Sequence, residues 1–165
     1  MKFNYQAFSA IYLHEMDRFK RTLMQSLFSP VLSTSLYFIV FGSVIGVYVE
    51  NIDGISYGSY IVPGLLMLTL LTQSISNTSF GIFFPKFNGT IYEILAAPIS
   101  TFEIVLAFVG AGATKTLIVG IVIFITSTFF VEVKVMYPLL MVFLLILVAF
   151  TFALFGFLIG LMSSN

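Results

Sequence analysis

Four long stretches of the chain are nearly free of charged residues. They are residues 31–49, 60–84, 104–131 and 138–162, and the only charge among them is Lys115. A helix of about 20 apolar residues crosses a hydrocarbon layer roughly 30 Å thick. We therefore predict one transmembrane helix in each stretch.

Composition supports a membrane location. The chain of 165 residues is 59% hydrophobic and 8% charged, with a mean hydropathy of +1.10, whereas soluble domains carry about 25% charged residues. Seven basic and seven acidic residues give a net charge of zero, so nucleic acid is not a predicted partner. Cysteine is absent from the sequence, which excludes disulfides and thiolate metal sites. The predicted fold is an all-α membrane protein.

The segment before the first span has its own pattern. It is too long and too polar for a cleavable signal peptide, so we expect it to remain in the mature protein. Its apolar side chains within an arc of about 100° are Tyr5, Phe8, Met16, Phe19, Leu23 and Leu27. The polar residues opposite are His14, Asp17, Arg18, Arg21 and Gln25. This pattern predicts an amphipathic interfacial helix over residues 3–28. A plain anchor without a mechanical role fits equally well.

The basic residues in the flanking segments predict the orientation. On one side of the membrane lie Lys2, Arg18, Lys20, Arg21 and Lys86, and on the other lies only Lys134. Lysine and arginine are enriched in cytoplasmic loops. We therefore expect a multi-pass protein of the inner (cytoplasmic) membrane, with its N-terminus and the segment 85–103 in the cytoplasm.

The stretch GTIYEILAAPIS, residues 89–100, separates the second and third spans. Thr90 and Glu93 have the spacing of a capping box, which predicts a helix start. Pro98 lacks an N–H and disfavours helix at the preceding residue, so the helix ends there. A helix over residues 89–98 is too short to cross a membrane and belongs at its surface. Ser100 and Glu103 repeat the spacing and predict the start of the third span.

The short helix has an apolar side formed by Ile91, Ile94 and Leu95. Such a side suits insertion into a cleft on another protein. It suits equally well a tight turn that packs under the spans.

The block Lys86–Ser100, KFNGTIYEILAAPIS, together with YIVPGLL at 60–66 and the amphipathic N-terminal segment, resembles the membrane subunit of type-2 ABC exporters, the ABC type-2 permeases. The resemblance implies that residues 89–98 form the coupling helix, which docks on a separate ATPase subunit. The implied docking residues are Gly89, Thr90, Glu93, Leu95, Pro98 and Ile99. It also implies that residues 3–28 form the connecting helix, that the chain dimerises with itself within membrane lipid, and that ATP and Mg²⁺ bind in the partner subunit.

The chain departs from that family in its number of spans. Family members usually have six, and the sequence predicts four. The expectation is therefore a fragment of the transport path, or a path completed by a separate chain. A membrane scaffold that only docks a partner is the first alternative function. An ion-coupled carrier is less favoured, because the predicted spans contain no carboxylate.

The second and third predicted spans hold polar residues that could line a path. In the second span these are Thr69, Gln73 and Ser76, although hydrogen bonds between helices also explain them. Lys115 lies either near the midplane or close enough to the cytoplasmic face to reach the headgroups, and we favour the second placement. Two small-xxx-small pairs predict close helix packing: Gly42 with Gly46, and Gly156 with Gly160.

Two catalytic motifs are incomplete. GAGATKT at 110–116 lacks the glycine spacing of a phosphate-binding loop, and GISYG at 54–58 lacks the βα context of a nucleophile elbow. No cluster of carboxylates or histidines suggests a metal or general acid–base site. We expect no catalytic residue, no metal and no cofactor bound by this chain, and hence a transporter subunit, not an enzyme.

Overall fold

The computed structural model describes residues 3–45, 48 and 55–163, and its described part is built from helices without a β-strand. The helices are α1 (Tyr5–Arg21), α2 (Leu23–Tyr37), α3 (Tyr57–Phe87), α4 (Ile91–Ala96), α5 (Thr101–Phe130) and α6 (Pro138–Met162). A π-helical segment, Phe38–Ile45, continues α2.

Four of these segments are long and apolar enough to cross a membrane. They are Leu23–Phe41, Tyr57–Phe87, Thr101–Phe130 and Pro138–Met162. The predicted all-α fold with four spans is thus confirmed. The fourth span has the predicted bounds, because Pro138 begins the helix at a position where a missing N–H does no harm. The second span extends the predicted range by three residues at each end, and the third begins three residues and ends one residue earlier than predicted.

The first span begins earlier than predicted. The helix breaks at Thr22, where φ is −105° and ψ is 14°, and the hydroxyl of Thr22 donates to the carbonyls of Arg18 and Phe19. Pro30 lies inside α2 and does not open it. The predicted boundary between an interfacial helix ending at 28 and a span beginning at 31 is therefore wrong. Of that span, residues 46, 47 and 49 lie outside the described residues.

The central helix of the bundle is α5, which contacts α1, α2, α3 and α6. One buried cluster joins α3, α5 and α6: Ile82, Ile104, Phe108, Val109, Ala113, Ala149, Ala153 and Phe157. A second cluster joins α3 and α5: Leu66, Leu70, Val119 and Ile123. Because α1 covers part of α5, the N-terminal helix belongs to the packed bundle.

The most extensive helix contact joins α3 and α6. A Cβ added at Gly156 would lie 2.4 Å from the carbonyl oxygen of Ile75, and one added at Gly160 would lie 2.7 Å from that of Ser79. Ser74 donates a hydrogen bond of 2.6 Å to the carbonyl of Ala149. The two backbones therefore touch through small residues. In the other pair, Gly42 lies in the π-helical segment, and Gly46 lies outside the described residues.

We predict that Gly156→Ala destabilises the chain by about 1–3 kcal/mol, because the added methyl group overlaps the α3 backbone. The matched control is Gly64→Ala, also within a membrane helix, where an added Cβ meets nothing within 4 Å. Thermal unfolding of the detergent-purified variants measures the difference. Equal unfolding midpoints for the two variants would contradict the close α3–α6 contact.

Candidate functional site

The short helix α4 joins α3 to α5 at one end of the bundle. After α3 ends, Gly89 adopts a φ of +78°. Residues with a Cβ rarely adopt this left-handed backbone conformation. The helix then runs from Ile91 to Ala96, shorter than the predicted range 89–98. Ala97 is extended, with ψ at 150°, as expected for the residue before Pro98.

The two predicted capping boxes differ in the structure. Thr90 has helical angles, φ −61° and ψ −20°, and its side chain makes no capping hydrogen bond. An N-cap side chain accepts from the helix amides when its own backbone is extended, so the prediction at Thr90 is wrong. Ser100 is extended, and both bonds of its capping box with Glu103 are present. The prediction of a helix start at Ser100 is confirmed.

The apolar side predicted for α4 divides in two. Ile91 and Ile94 pack against the cluster that joins α3, α5 and α6. Leu95 instead is 61% exposed, next to Tyr92, which is 73% exposed. We define the outer face of α4 as Tyr92, Glu93, Leu95 and Ala96, all of which are exposed. The helix therefore packs under the spans on one side and is open to a partner on the other.

The remaining predicted docking residues surround this outer face. Thr90 and Pro98 are exposed, and Gly89 and Ile99 are partly buried. Ile99 packs against the same cluster as Ile91 and Ile94. The docking role of these residues stays a prediction.

A buried carboxylate joins α4, α5 and the start of α1. Glu103 is 4% exposed, and its two oxygens accept from the backbone N–H groups of Asn4, at 2.5 Å, and Ser100, at 2.8 Å. The Asn4 side chain caps α1 through the amide of Ala7 and donates to the carbonyl of Pro98. Residues far apart in the sequence thus meet beside the end of α4.

A second buried contact joins α1 to α5. Lys115 is 3% exposed and donates to Glu15, which is 2% exposed, with Nζ and Oε2 2.7 Å apart. Arg18 contacts the same oxygen at 2.9 Å. The ammonium group therefore ends on a carboxylate within the bundle, and its placement near the cytoplasmic headgroups stays a prediction. A charge inside an apolar helix requires such a partner.

The pairing of Glu15 with Lys115 was not predicted, although the sequence contains a signal for it. Glu15 lies seven residues after Phe8 and four before Phe19, at the edge of the apolar arc of α1. A carboxylate beside an apolar arc is stabilised by a cation, and Lys115 is the one charge in the predicted spans. Both observations together suggest the pair.

The three polar residues proposed to line a path differ in their burial and contacts. Thr69 donates to the carbonyl of Leu65 in its own helix, Gln73 is partly buried, and Ser76 is exposed. Lys115 contacts Glu15 of α1 and not these residues. The contact lies beside Gly81 of α3, where an added Cβ would be 3.4 Å from Glu15 Oε2. The lining role of these residues and Lys115 stays a prediction. Residues 3–45, 48 and 55–163 contain no group of acidic, histidine or cysteine residues that could hold a metal.

The apolar helices define a multi-pass membrane protein, and sequence comparison places it in a family. A family described as ABC-2 type transporter matches residues 6–165. The chain belongs to this family, as its resemblance to type-2 permeases implied.

Its curated relatives include a protein named inner membrane transport permease YadH from Escherichia coli K12, which is 37% identical over 159 residues. The alignment covers 96% of this chain and 62% of that relative. Proteins of the same name from Escherichia coli O157:H7 and Shigella flexneri match with the same identity and coverage. The chain thus spans less than two thirds of the length of these relatives. No solved structure matches it significantly.

We predict that Glu15→Gln destabilises the chain by about 3–5 kcal/mol, because it leaves the Lys115 ammonium buried without a carboxylate. The double variant Glu15→Gln/Lys115→Met recovers most of this loss. The control is Asp17→Asn on the same helix, which breaks the exposed pair with Lys20 and changes stability by at most about 1 kcal/mol.

Unfolding midpoints in detergent measure all three variants. A loss for Glu15→Gln no larger than that for Asp17→Asn would show that the buried pair does not hold α1 to α5.

Proposed function

We propose that this chain is the transmembrane permease subunit of an ABC exporter, coupled through α4 to a separate ATPase subunit. The observation that carries the proposal is the two-sided packing of α4, whose outer face is open while Ile91 and Ile94 are fixed in the bundle. Membership of the ABC-2 type transporter family supports it, as does the similarity to proteins named inner membrane transport permeases.

The geometry suits a mechanical role for α4. It lies at the tip of a hairpin formed by α3 and α5, which contain 31 and 30 residues and are each about 45 Å long. A hydrocarbon layer is roughly 30 Å thick, so the helices reach well beyond it. Movement of α4 would tilt both helices, because its partly buried isoleucines pack against the cluster that joins them.

The end of α3 is also fixed to α6. Lys86 donates to the carbonyls of Leu161 and Ser163, at 2.8 and 2.5 Å. These groups belong to the C-terminal end of α6, where carbonyls lack helical partners and attract cations. A displacement of the α3–α4 junction would therefore reach α6 as well.

The proposed orientation places α4 in the cytoplasm of a cell with its permease in the inner membrane. Lys86 lies near the α4 end of α3, Arg18 of α1 contacts Phe84 close to that end, and Lys134 lies beyond the opposite end of α5. Basic residues favour the cytoplasmic side. In this arrangement the partner binds ATP and Mg²⁺, and the chain forms a homodimer surrounded by lipid.

Co-purification with the tagged wild-type chain from its native membrane tests the proposal. We expect an ABC ATPase to be recovered, and its recovery to fall about tenfold or more with Leu95→Asp or Glu93→Lys. A tenfold loss corresponds to about 1.4 kcal/mol, which is typical of a central interface residue.

The matched controls lie in the loop between α5 and α6, at the end of the bundle opposite α4. Met136→Asp is the control for Leu95→Asp, and Glu132→Lys is the control for Glu93→Lys. Controls that recover as much ATPase as wild type would locate the contact at α4. Recovery of no ATPase with wild type would contradict the exporter proposal. Recovery of an ATPase without any ATP-dependent flux in sealed vesicles would favour the scaffold alternative.

A further inference from the structure

The N-termini of α1 and α5 lie side by side. Asn4 contacts Glu103 at the start of both helices, Tyr12 donates to Thr114 further along, and Glu15 contacts Lys115 near the end of α1. The order of these contacts is the same in both helices, so α1 and α5 run parallel for most of the length of α1.

Two parallel helices with adjacent N-termini repel each other electrostatically. Each N-terminus carries about half a positive charge and several N–H groups without helical partners. The Glu103 carboxylate lies between them and accepts from the backbone at Asn4 and at Ser100. Hydrogen bonds to an ionised carboxylate are roughly twice as strong as those between neutral groups. A single buried side chain thus accepts one backbone hydrogen bond at the start of each helix.

We propose that Glu103 is a positioning residue that makes α1 and the α4–α5 segment move as one unit. The inference rests on the proposed function, and it identifies α1 as the helix to which the movement of α4 is transmitted. Asn4 contributes the second link, because its side chain donates, over 3.5 Å, to the carbonyl of Pro98 in the connection between α4 and α5. Movement of α4 therefore reaches the start of α1 without first passing through the membrane spans.

The movement then continues to the first span. The Glu15–Lys115 pair holds the other end of α1 on α5. Beyond Thr22, the amide of Ser26 donates to the Thr22 carbonyl at 2.9 Å, so the helical hydrogen bonds resume directly in α2. Glu103 thereby connects a partner at α4 to span one as well as to spans two and three.

A capping role alone can be separated from this positioning role by Glu103→Gln. Glutamine still completes a capping box, since its one oxygen accepts from Ser100. Its amide nitrogen donates and cannot accept from Asn4. Ser100→Ala does the converse, because it removes the hydroxyl cap and keeps the carboxylate. Glu132→Gln, in the loop at the opposite end, is the matched control for the substitution itself.

The first measurement is hydrogen exchange of residues 4–8 in the purified full-length variants. We expect exchange to rise roughly tenfold in Glu103→Gln, the change that follows loss of a hydrogen bond to a charged group. Ser100→Ala and Glu132→Gln should keep the wild-type rate. A wild-type rate in Glu103→Gln would overturn the proposal. If Glu103→Gln does not fold, Asn4→Pro removes the donor from the other side and is compared with Asn4→Ala, which loses the side-chain cap on Ala7 but keeps the backbone N–H.

The second measurement uses the complex with the co-purified ATPase. The chain lacks cysteine, so Gln25→Cys at the start of α2 gives a single thiol whose maleimide labelling is followed with and without ATP. We expect an ATP-dependent change in Gln25→Cys that is lost in Gln25→Cys/Glu103→Gln, while ATPase recovery is unchanged. A retained change would overturn the positioning role and leave the exporter proposal intact. Recovery of no ATPase with wild type would overturn the exporter proposal, and the transmission of movement with it.

Discussion

A lysine enclosed by apolar helices must have a carboxylate beside it, and this requirement determines where α1 lies. The Lys115 ammonium is buried among α1, α3 and α5 and is neutralised by Glu15. An unpaired ion in such surroundings would destabilise the bundle by several kcal/mol. The pair therefore holds an N-terminal helix parallel to α5 instead of leaving it free at the membrane surface. The contact of Asn4 with Glu103 follows from this register.

Much of the fold could be predicted from hydrophobicity alone, because a span requires an uninterrupted apolar helix. The bounds of α6 and the start of α5 at the Ser100 capping box were predicted to within a residue. The break at Thr22 was missed because it depends on local hydroxyl and carbonyl contacts, whereas Pro30 is tolerated inside α2. Lipid-facing helices can retain proline when neighbouring groups satisfy the freed carbonyl.

The candidate site was harder to predict, because its geometry comes from contacts between distant residues. Glu103 was correctly expected to cap α5, yet its bond to Asn4 spans 99 residues and has no local signature. The division of α4 into a packed side and an outer face likewise depends on where α3 and α5 lie. The sequence identified Ile94 and Leu95 as apolar residues of one helix. Which of them is covered depends on the neighbouring helices, and in the structure Ile94 is partly buried while Leu95 is exposed.

The separation of 100 residues between Glu15 and Lys115 affects biosynthesis. Ribosomes add about 5–20 residues per second, so α1 is made roughly 5–20 s before its partner on α5 exists. During that interval the Glu15 carboxylate has no lysine within the bundle and is best accommodated in water. Until then Glu15 has Arg18 of its own helix as a cationic neighbour. The contact that holds α1 on α5 can therefore form only after the third span has been synthesised.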